Sequence, residues 1–388
     1  MYHNWCFILK YDRTRYMLKK GQNQEILWVY RRLYMYMLSS IVILSSALLV
    51  LMLPVQSEGN TLRQLRIPTA VDNRKTIETW QEEVHKKLSK IVSLPDQKPT
   101  SFETEKINEE MREGYKLEEF KIQSTLQRSI HVCVGVPLTD KPKKFPAVVC
   151  IHGHGGNRYT AFEKEPTPYH EFGKRLLENG YIVITTDVGQ HDIYEQGRTL
   201  IGERLWDLIR CVDYLETLPF VDANRIGCAG LSLGGEMAMW LGAIDTRIKA
   251  TAVCGFLTYM DQMEKNHCMC WKFEGLRELV DFPDIYAMMA PRALQCQNGE
   301  KEPPDQFPPS LAQKGWSEII SVYRVFNAEN QAELIIHSGG HEIAIKPLIV
   351  FFEKHLKGQT TQTSRIGQTG QVFFPLLHSS GEPIMSAS

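Results

Sequence analysis

Apolar and polar positions alternate in a regular order from about residue 116 to about residue 357. "KLEEFKIQST" and "SIHVCVGVPL" predict two antiparallel strands. "FPAVVCIHG" is a short unbroken apolar run ending in a glycine-rich loop, the pattern of a fully buried strand. "YHEFGKRLLENG" then predicts a helix stopped by Gly180, and "YIVITTD" a buried strand. "LIGERLWDLIRCVDYLETL" is amphipathic at helical spacing, with Leu205, Ile209, Val212 and Leu215 on its inner face. "RIGCAGLS" predicts a strand, "GGEMAMWLGA" the helix after it, and "IKATAVCGF" a further strand. "RALQCQNG", "GWSEIISVYRVF", "AELIIHSGG" and "IKPLIVFFEKHL" complete the alternation. This order predicts an α/β fold, a mostly parallel sheet with helices on both faces, made mixed by its two opening strands. About 36 residues separate Cys254 from Arg292, a long connection that predicts a short lid insertion between the last strands.

The flanks follow different patterns. Residues 58–115 are polar and charged with a helical patch around Thr76 to Val92, and predict an N-terminal helical extension. Residues 116–358 form the main domain, and 359–388 are a polar, loose tail. Residues 1–57 predict a leader. Arg31 and Arg32 precede an apolar stretch from Leu38 to Leu53, short against the roughly 20 residues of a membrane span. Val55 and Ser57 are small residues placed for cleavage after Ser57. The expectation is an exported protein, periplasmic or secreted. The alternative is an uncleaved anchor, which would be its one tie to a membrane. Met35 or Met37 is a candidate for the true start.

The chain has 388 residues and a net charge of −1, so no strong positive balance points to nucleic acid. Of nine cysteines, Cys6 lies in the leader, and Cys133, Cys150, Cys228, Cys254 and Cys296 fall in strand-like runs and read as small buried hydrophobes. His267, Cys268 and Cys270 hint at metal, but a Cys-x-Cys with one histidine lacks a second ligand pair at zinc spacing. No metal is therefore expected. Pairing of Cys268 or Cys270 with a distant cysteine stays open for an exported chain.

Chemistry enters with Gly230-Leu231-Ser232-Leu233-Gly234, a G-x-S-x-G between a strand and a helix. A sharp strand-to-helix turn would strain the serine and demand small neighbours, and the Leu233 N–H would be the first oxyanion donor. His152-Gly153-His154-Gly155-Gly156 follows an earlier strand, and its bare backbone suits the second donor, the His154 N–H. Serine needs a base. In "ELIIHSGGHEI", His337 lies within the strand run and reads as a packed histidine, whereas His341 lies in the loop and reads as the base. The acid that fixes its tautomer should lie between serine and histidine. Glu302, three residues past Gly299, is preferred there, with Asp305 as the alternative and Glu300 behind both. Asp187, His191 and Asp192 could edge the pocket, although carboxylates at such loop ends also cap helices. Phe256, Tyr259, Trp271 and Phe273 in the insertion either wall the substrate or pack on the core.

The order G-L-S-L-G-G, then "APR-L" before the acidic loop, then G-G-H resembles the α/β-hydrolase fold. Within it, "VDANRIGCAGLSLGG" and "HCMC…EGL…DFPDIYAMMAPRAL" are similar to dienelactone-hydrolase-related and acetyl xylan esterase-like serine hydrolases, over about residues 75–357. That resemblance implies ester hydrolysis, often of acetyl groups on carbohydrates, without a cofactor. The group usually has Asp where Glu302 stands, and a serine nucleophile separates this chain from dienelactone hydrolases that use cysteine. The expected activity is that of a serine esterase on small-molecule or carbohydrate esters. A serine peptidase on the same fold and a non-catalytic binding protein of that fold are the alternatives.

Overall fold

The computed structural model describes residues 63–68, 73–138 and 144–358. The leader expected at 1–57 and the tail expected at 359–388 lie outside the described residues. Among the described residues no helix is long and apolar enough to cross a membrane.

The unbroken apolar run Phe145–Ile151 (β4) is buried at every residue. Alternate side chains of a strand face opposite ways. Ala147, Val149 and Ile151 accordingly enter one apolar cluster, while Val148 and Cys150 enter another on the opposite face. β4 pairs in parallel with Ile182–Thr186 (β5) on one side and Val221–Leu231 (β6) on the other. Ile248–Cys254 (β7), Ala293–Gly299 (β8) and Ala332–His337 (β9) extend the parallel part. Glu105–Arg112 (β1), Tyr115–Gln123 (β2) and Ser129–Pro137 (β3) close the other edge as antiparallel strands, in the order β1-β2-β3-β5-β4-β6-β7-β8-β9. The two strands predicted before β4 are β2 and β3. Helices Phe172–Glu178 (α2) and Leu200–Thr217 (α3) supply residues to opposite clusters, so the sheet is covered on both faces as predicted.

The extension expected over 58–115 is only partly helical. Its helix is Arg74–Val92 (α1), capped by the Asn73 side chain, which accepts from Thr76 N–H. Ile77, Trp80, Val84, Leu88 and Val92 form its buried stripe. Gln81 Nε2 donates to the carbonyls of Ala287 and Ala290 and so docks the helix beside the insertion. Residues 105–112, however, are strand β1. Its sequence EKINEEMR is exposed nearly throughout, so it carries no apolar period, and backbone pairing with β2 defines it.

Cys133, Cys150, Cys228, Cys254 and Cys296 are all buried and free. The insertion between β7 and β8 is present, built of short helical pieces that include Met260–Met263 and Phe282–Ala287. Arg63 reaches its root through an ion pair with Asp281 at 2.6 Å. Phe256 and Trp271 are almost fully buried in the core, Phe256 where it also lines a cavity.

Candidate active site

The loops that leave the carboxyl ends of the parallel strands gather at one edge of the sheet. The chain runs from β4 to β5 on one side and then crosses to β6 on the other, the kind of switch that opens a crevice there. Ser232 stands alone between β6 and helix Leu233–Ile244 (α4), with φ 61° and ψ −123°. A non-glycine residue there costs on the order of 1–3 kcal/mol. Its neighbours hold it. Ser232 N–H donates to the Cys254 carbonyl at 3.0 Å, and the Ser232 carbonyl accepts from Glu236 N–H at 2.9 Å. A Cβ on Gly230 would lie 2.3 Å from the Gly234 carbonyl oxygen, and one on Gly234 would lie 2.2 Å from that of Ile151. Both glycines are therefore steric requirements of the turn. Leu233 opens α4, so its N–H has no acceptor within the helix.

The loop after β4 approaches this turn closely. A Cβ on Gly153 would lie 3.2 Å from Ser232 Cβ. Gly153 N–H donates to the Tyr169 hydroxyl at 2.8 Å, and Gly156 N–H to the Gly153 carbonyl. His152 is buried and ties the loop down from both ring nitrogens. Nε2 accepts from Val188 N–H at 3.0 Å, so Nδ1 carries the proton and donates to the Gly153 carbonyl at 2.8 Å. Burial holds its pKa below the usual histidine value. His154 is exposed at the loop's tip, and Gly155 follows it at φ 73°. The sequence marked His152 as part of this loop but gave no sign of Tyr169, whose contact with Gly153 comes from a separate segment.

His341 and Glu302 meet. His341 Nδ1 donates to Glu302 Oε1 at 2.8 Å, and the Glu302 side chain is fully buried. A neutral imidazole donating from Nδ1 presents its lone pair at Nε2. Two packing contacts set this ring. Phe307 stacks on it at 5.4 Å and 16°. Gly255 lies under it, for a Cβ there would come within 2.8 Å of His341 Cε1. Gly255 follows Cys254, whose carbonyl receives the Ser232 N–H, so serine and histidine converge on one stretch of backbone. The acid loop and the histidine loop also touch directly: a Cβ on Gly299 would lie 2.1 Å from the Gly340 carbonyl oxygen. Asp305 is exposed, and its carbonyl accepts from His267 Nε2 at 3.1 Å. Glu300 is exposed as well. His337 ends β9 half-buried, and its Nδ1 accepts from Gly339 N–H.

Ser232 opens into a cavity of about 160 Å³ lined by His154, Leu233, Glu236, Phe256, Cys268 and Phe307 among others. Glu236 is a residue the sequence reading missed. It lies on the first turn of α4, and burial pushes its carboxyl up to about 7. A larger cavity of about 570 Å³ lies across Gly155 and Gly156 and is lined by Arg128, His131, Arg158 and Asp187. Ser232 does not line it, whereas Ser232 and the Phe307 ring that stacks on His341 both line the smaller one. Asp187 edges the larger cavity, where its carboxylate accepts from Arg158 N–H and Nη1 at 2.7 Å each. Asp192 is exposed on the same loop.

Spacing along the chain offered Cys268 and Cys270 no second ligand pair, but two distant histidines stand beside them in space. These are His154 and His191, with one ligand atom from each of the four side chains within 4.8 Å of all the others. His267, the histidine next to them in sequence, points away to Asp305. Although the residue is exposed at the tip, partial desolvation of the His154 ring among its neighbours, with help from Arg204 and His191, pushes it down to about 4.

Residues 134–265 match the model of the dienelactone hydrolase family, from β3 through the 152–156 loop and Ser232 into the insertion. Over this segment the chain is similar to the dienelactone hydrolase family. The described residues have the α/β-hydrolase fold. The chain is 28% identical over 280 residues to YtaP of Bacillus subtilis, a protein named as a hydrolase, covering 64% of this chain and 89% of that one. Among solved structures, a Bacteroides fragilis protein named for acetyl xylan esterase activity aligns with a TM-score of 0.58 at 21% identity, over 69% of this chain and 77% of its own. A glucuronoyl esterase from Solibacter usitatus aligns with a TM-score of 0.57 at 15% identity, over 73% and 94%. At those identities the two structures speak to the fold.

Proposed function

We propose that the chain is a serine esterase cleaving short-chain carboxylic esters, acetyl esters of carbohydrates above all, by way of an acyl-enzyme. Ser232 attacks the ester carbonyl while His341 Nε2 takes its proton. Glu302 holds the imidazole in the tautomer that makes this transfer feasible. The Leu233 and His154 N–H groups receive the oxyanion. The alcohol leaves with the proton from His341, and water then attacks the acyl-enzyme with His341 again as base.

The observation that carries this reading is the His341–Glu302 hydrogen bond, set against the same backbone that fixes the strained Ser232. The cavity supports a small acyl group. At about 160 Å³ it falls below the roughly 300–1,000 Å³ of pockets that enclose drug-sized ligands. The sugar or alcohol part would then lie outside it. Export through the leader belongs to the same reading, since polymeric carbohydrate esters are met outside the cell.

The test is Ser232→Ala assayed with p-nitrophenyl acetate, longer p-nitrophenyl esters, acetylated xylan and peptide substrates. The expected outcome is a loss of acetate hydrolysis of at least about 10³-fold with an unchanged melting temperature. Wild-type turnover should fall as the acyl chain lengthens. Unchanged turnover in the variant would sink the mechanism, and cleavage of peptides in preference to esters would sink the substrate class.

A further inference from the structure

Loops from the carboxyl ends of β4, β5 and β7 bring four metal-binding side chains together. His154 comes from the first, His191 from the second, and Cys268 and Cys270 from the insertion after the third. His154 Nε2 lies 3.3 Å from Cys270 Sγ, and His191 Nε2 lies 3.2 Å from Cys268 Sγ. The two imidazoles stack at 5.5 Å between ring centres, which aligns them side by side. A thiol–imidazole hydrogen bond accounts for one such contact. It does not account for two imidazoles and two sulfurs converging with every ligand atom within 4.8 Å of the rest.

We propose that His154, His191, Cys268 and Cys270 bind one zinc ion. Zinc takes tetrahedral sulfur and nitrogen ligands, with Zn–S of about 2.3 Å and Zn–N of about 2.0–2.1 Å. Such a tetrahedron has N···S edges of about 3.5 Å. The two close N···S contacts are within about 0.3 Å of that, and the remaining edges, at no more than 4.8 Å, are within reach of small side-chain adjustments. Two sulfurs with two imidazoles are the donor set that suits zinc over magnesium or calcium. On binding, both thiols release their protons to solvent, and the two thiolates neutralise the dication. Four protein ligands leave no open position, which makes the site structural. The supporting shell is already present on one side: buried Arg204 donates to the carbonyl of Gln190, next in the chain to His191.

The position of the ion gives it a task. His154 lies in the loop facing Ser232, and Cys268 and Cys270 line the cavity that Ser232 opens into. The metal would lock the insertion onto the loop after β4 and so fix the wall of that cavity. This consequence rests on the esterase reading, whereas the binding of zinc does not.

The test is the zinc content of the protein expressed with added zinc and dialysed, read by inductively coupled plasma mass spectrometry. Ser232→Ala protein is measured beside wild type, so that loss of metal and loss of esterase activity are separate results. About one zinc per chain is expected in both, and in His267→Ala, whose imidazole is outside the cluster. Cys268→Ser/Cys270→Ser should lose it, and His191→Ala, the fallback if the double variant does not fold, should bind at least about tenfold more weakly. Cobalt substitution should give a thiolate-to-metal charge-transfer band that the cysteine variants lack, and chelation should lower the melting temperature of wild type and Ser232→Ala alike. Folded wild type without zinc, or with Cys268 and Cys270 freely titratable in the zinc-supplied protein, would overturn the proposal. So would a folded double-serine or His191→Ala variant that retains zinc at wild-type affinity.

Discussion

Two polar clusters share one edge of the sheet, and they are built in different ways. The Ser232, His341 and Glu302 groups sit on short connections whose backbones touch. Gly230 abuts Gly234, and Gly299 abuts Gly340, so little chain is free to move between the groups. The His154, His191, Cys268 and Cys270 cluster instead reaches across a long insertion. The root of that insertion is set by carboxylates: Asp281 Oδ1 accepts from Met260 N–H and Asp284 Oδ1 from Ile67 N–H. One cluster is positioned by backbone close to it. The other depends on side chains that must find each other over several connections, which is the situation in which a metal ion contributes most.

Substitutions can break this comparison. Glu302→Gln should lower kcat by about 10³–10⁴-fold, because the amide no longer favours the Nδ1–H tautomer of His341. Asp305→Asn, on the exposed loop, should leave kcat within about twofold of wild type. Steady-state kinetics with p-nitrophenyl acetate reads both, and an equal fall in the two variants would show that the acid is not fixed by the Gly299–Gly340 contact.

A smaller effect concerns the root of the insertion. Burial pushes the Asp284 carboxyl up to about 6, above the ordinary 3.8. Between about pH 4 and pH 6 the folded state then holds a proton that the unfolded chain has released. Stability from this group is therefore full below about pH 4 and is lost as pH rises from there through 6, by on the order of 3 kcal/mol in all. Asp284→Asn should flatten that decline in urea melts taken from pH 4 to pH 8. A slope equal to wild type would show that other groups set it.

The smallest effect should come from His152→Ala. Without hydrogen bonds to Val188 and Gly153, the loop facing Ser232 loses its anchor. A fall of about tenfold in kcat, with KM little changed, is the expected result for a donor held less well. A change in KM alone would place His152 with ground-state binding.

Much of the fold was legible because its strands are buried runs with helical segments between them. β4, β6 and β7 could be read in that way, as could the helix after Ser232. Strand β1 could not, for EKINEEMR has no apolar alternation and owes its conformation to the neighbouring strand. The order of Ser232, Glu302 and His341 was legible too, since each lies at the end of a predicted strand. Choosing among Glu300, Glu302 and Asp305 required the tertiary contact, for only geometry shows which carboxylate lies buried beside His341.

By itself, the sequence determined the two-sided sheet, the strained turn at Ser232 and the glycines that permit it. These follow from local periodicity and from sterics within a few residues. Tertiary structure alone decided that Asp305 faces His267, that His152 anchors a loop, and that His154 and His191 complete a ligand set with Cys268 and Cys270. Those relations join residues 36 to 116 positions apart, where spacing along the chain carries no information about distance in space. The sheet converts one into the other by bringing the ends of β4, β5 and β7 to a common edge.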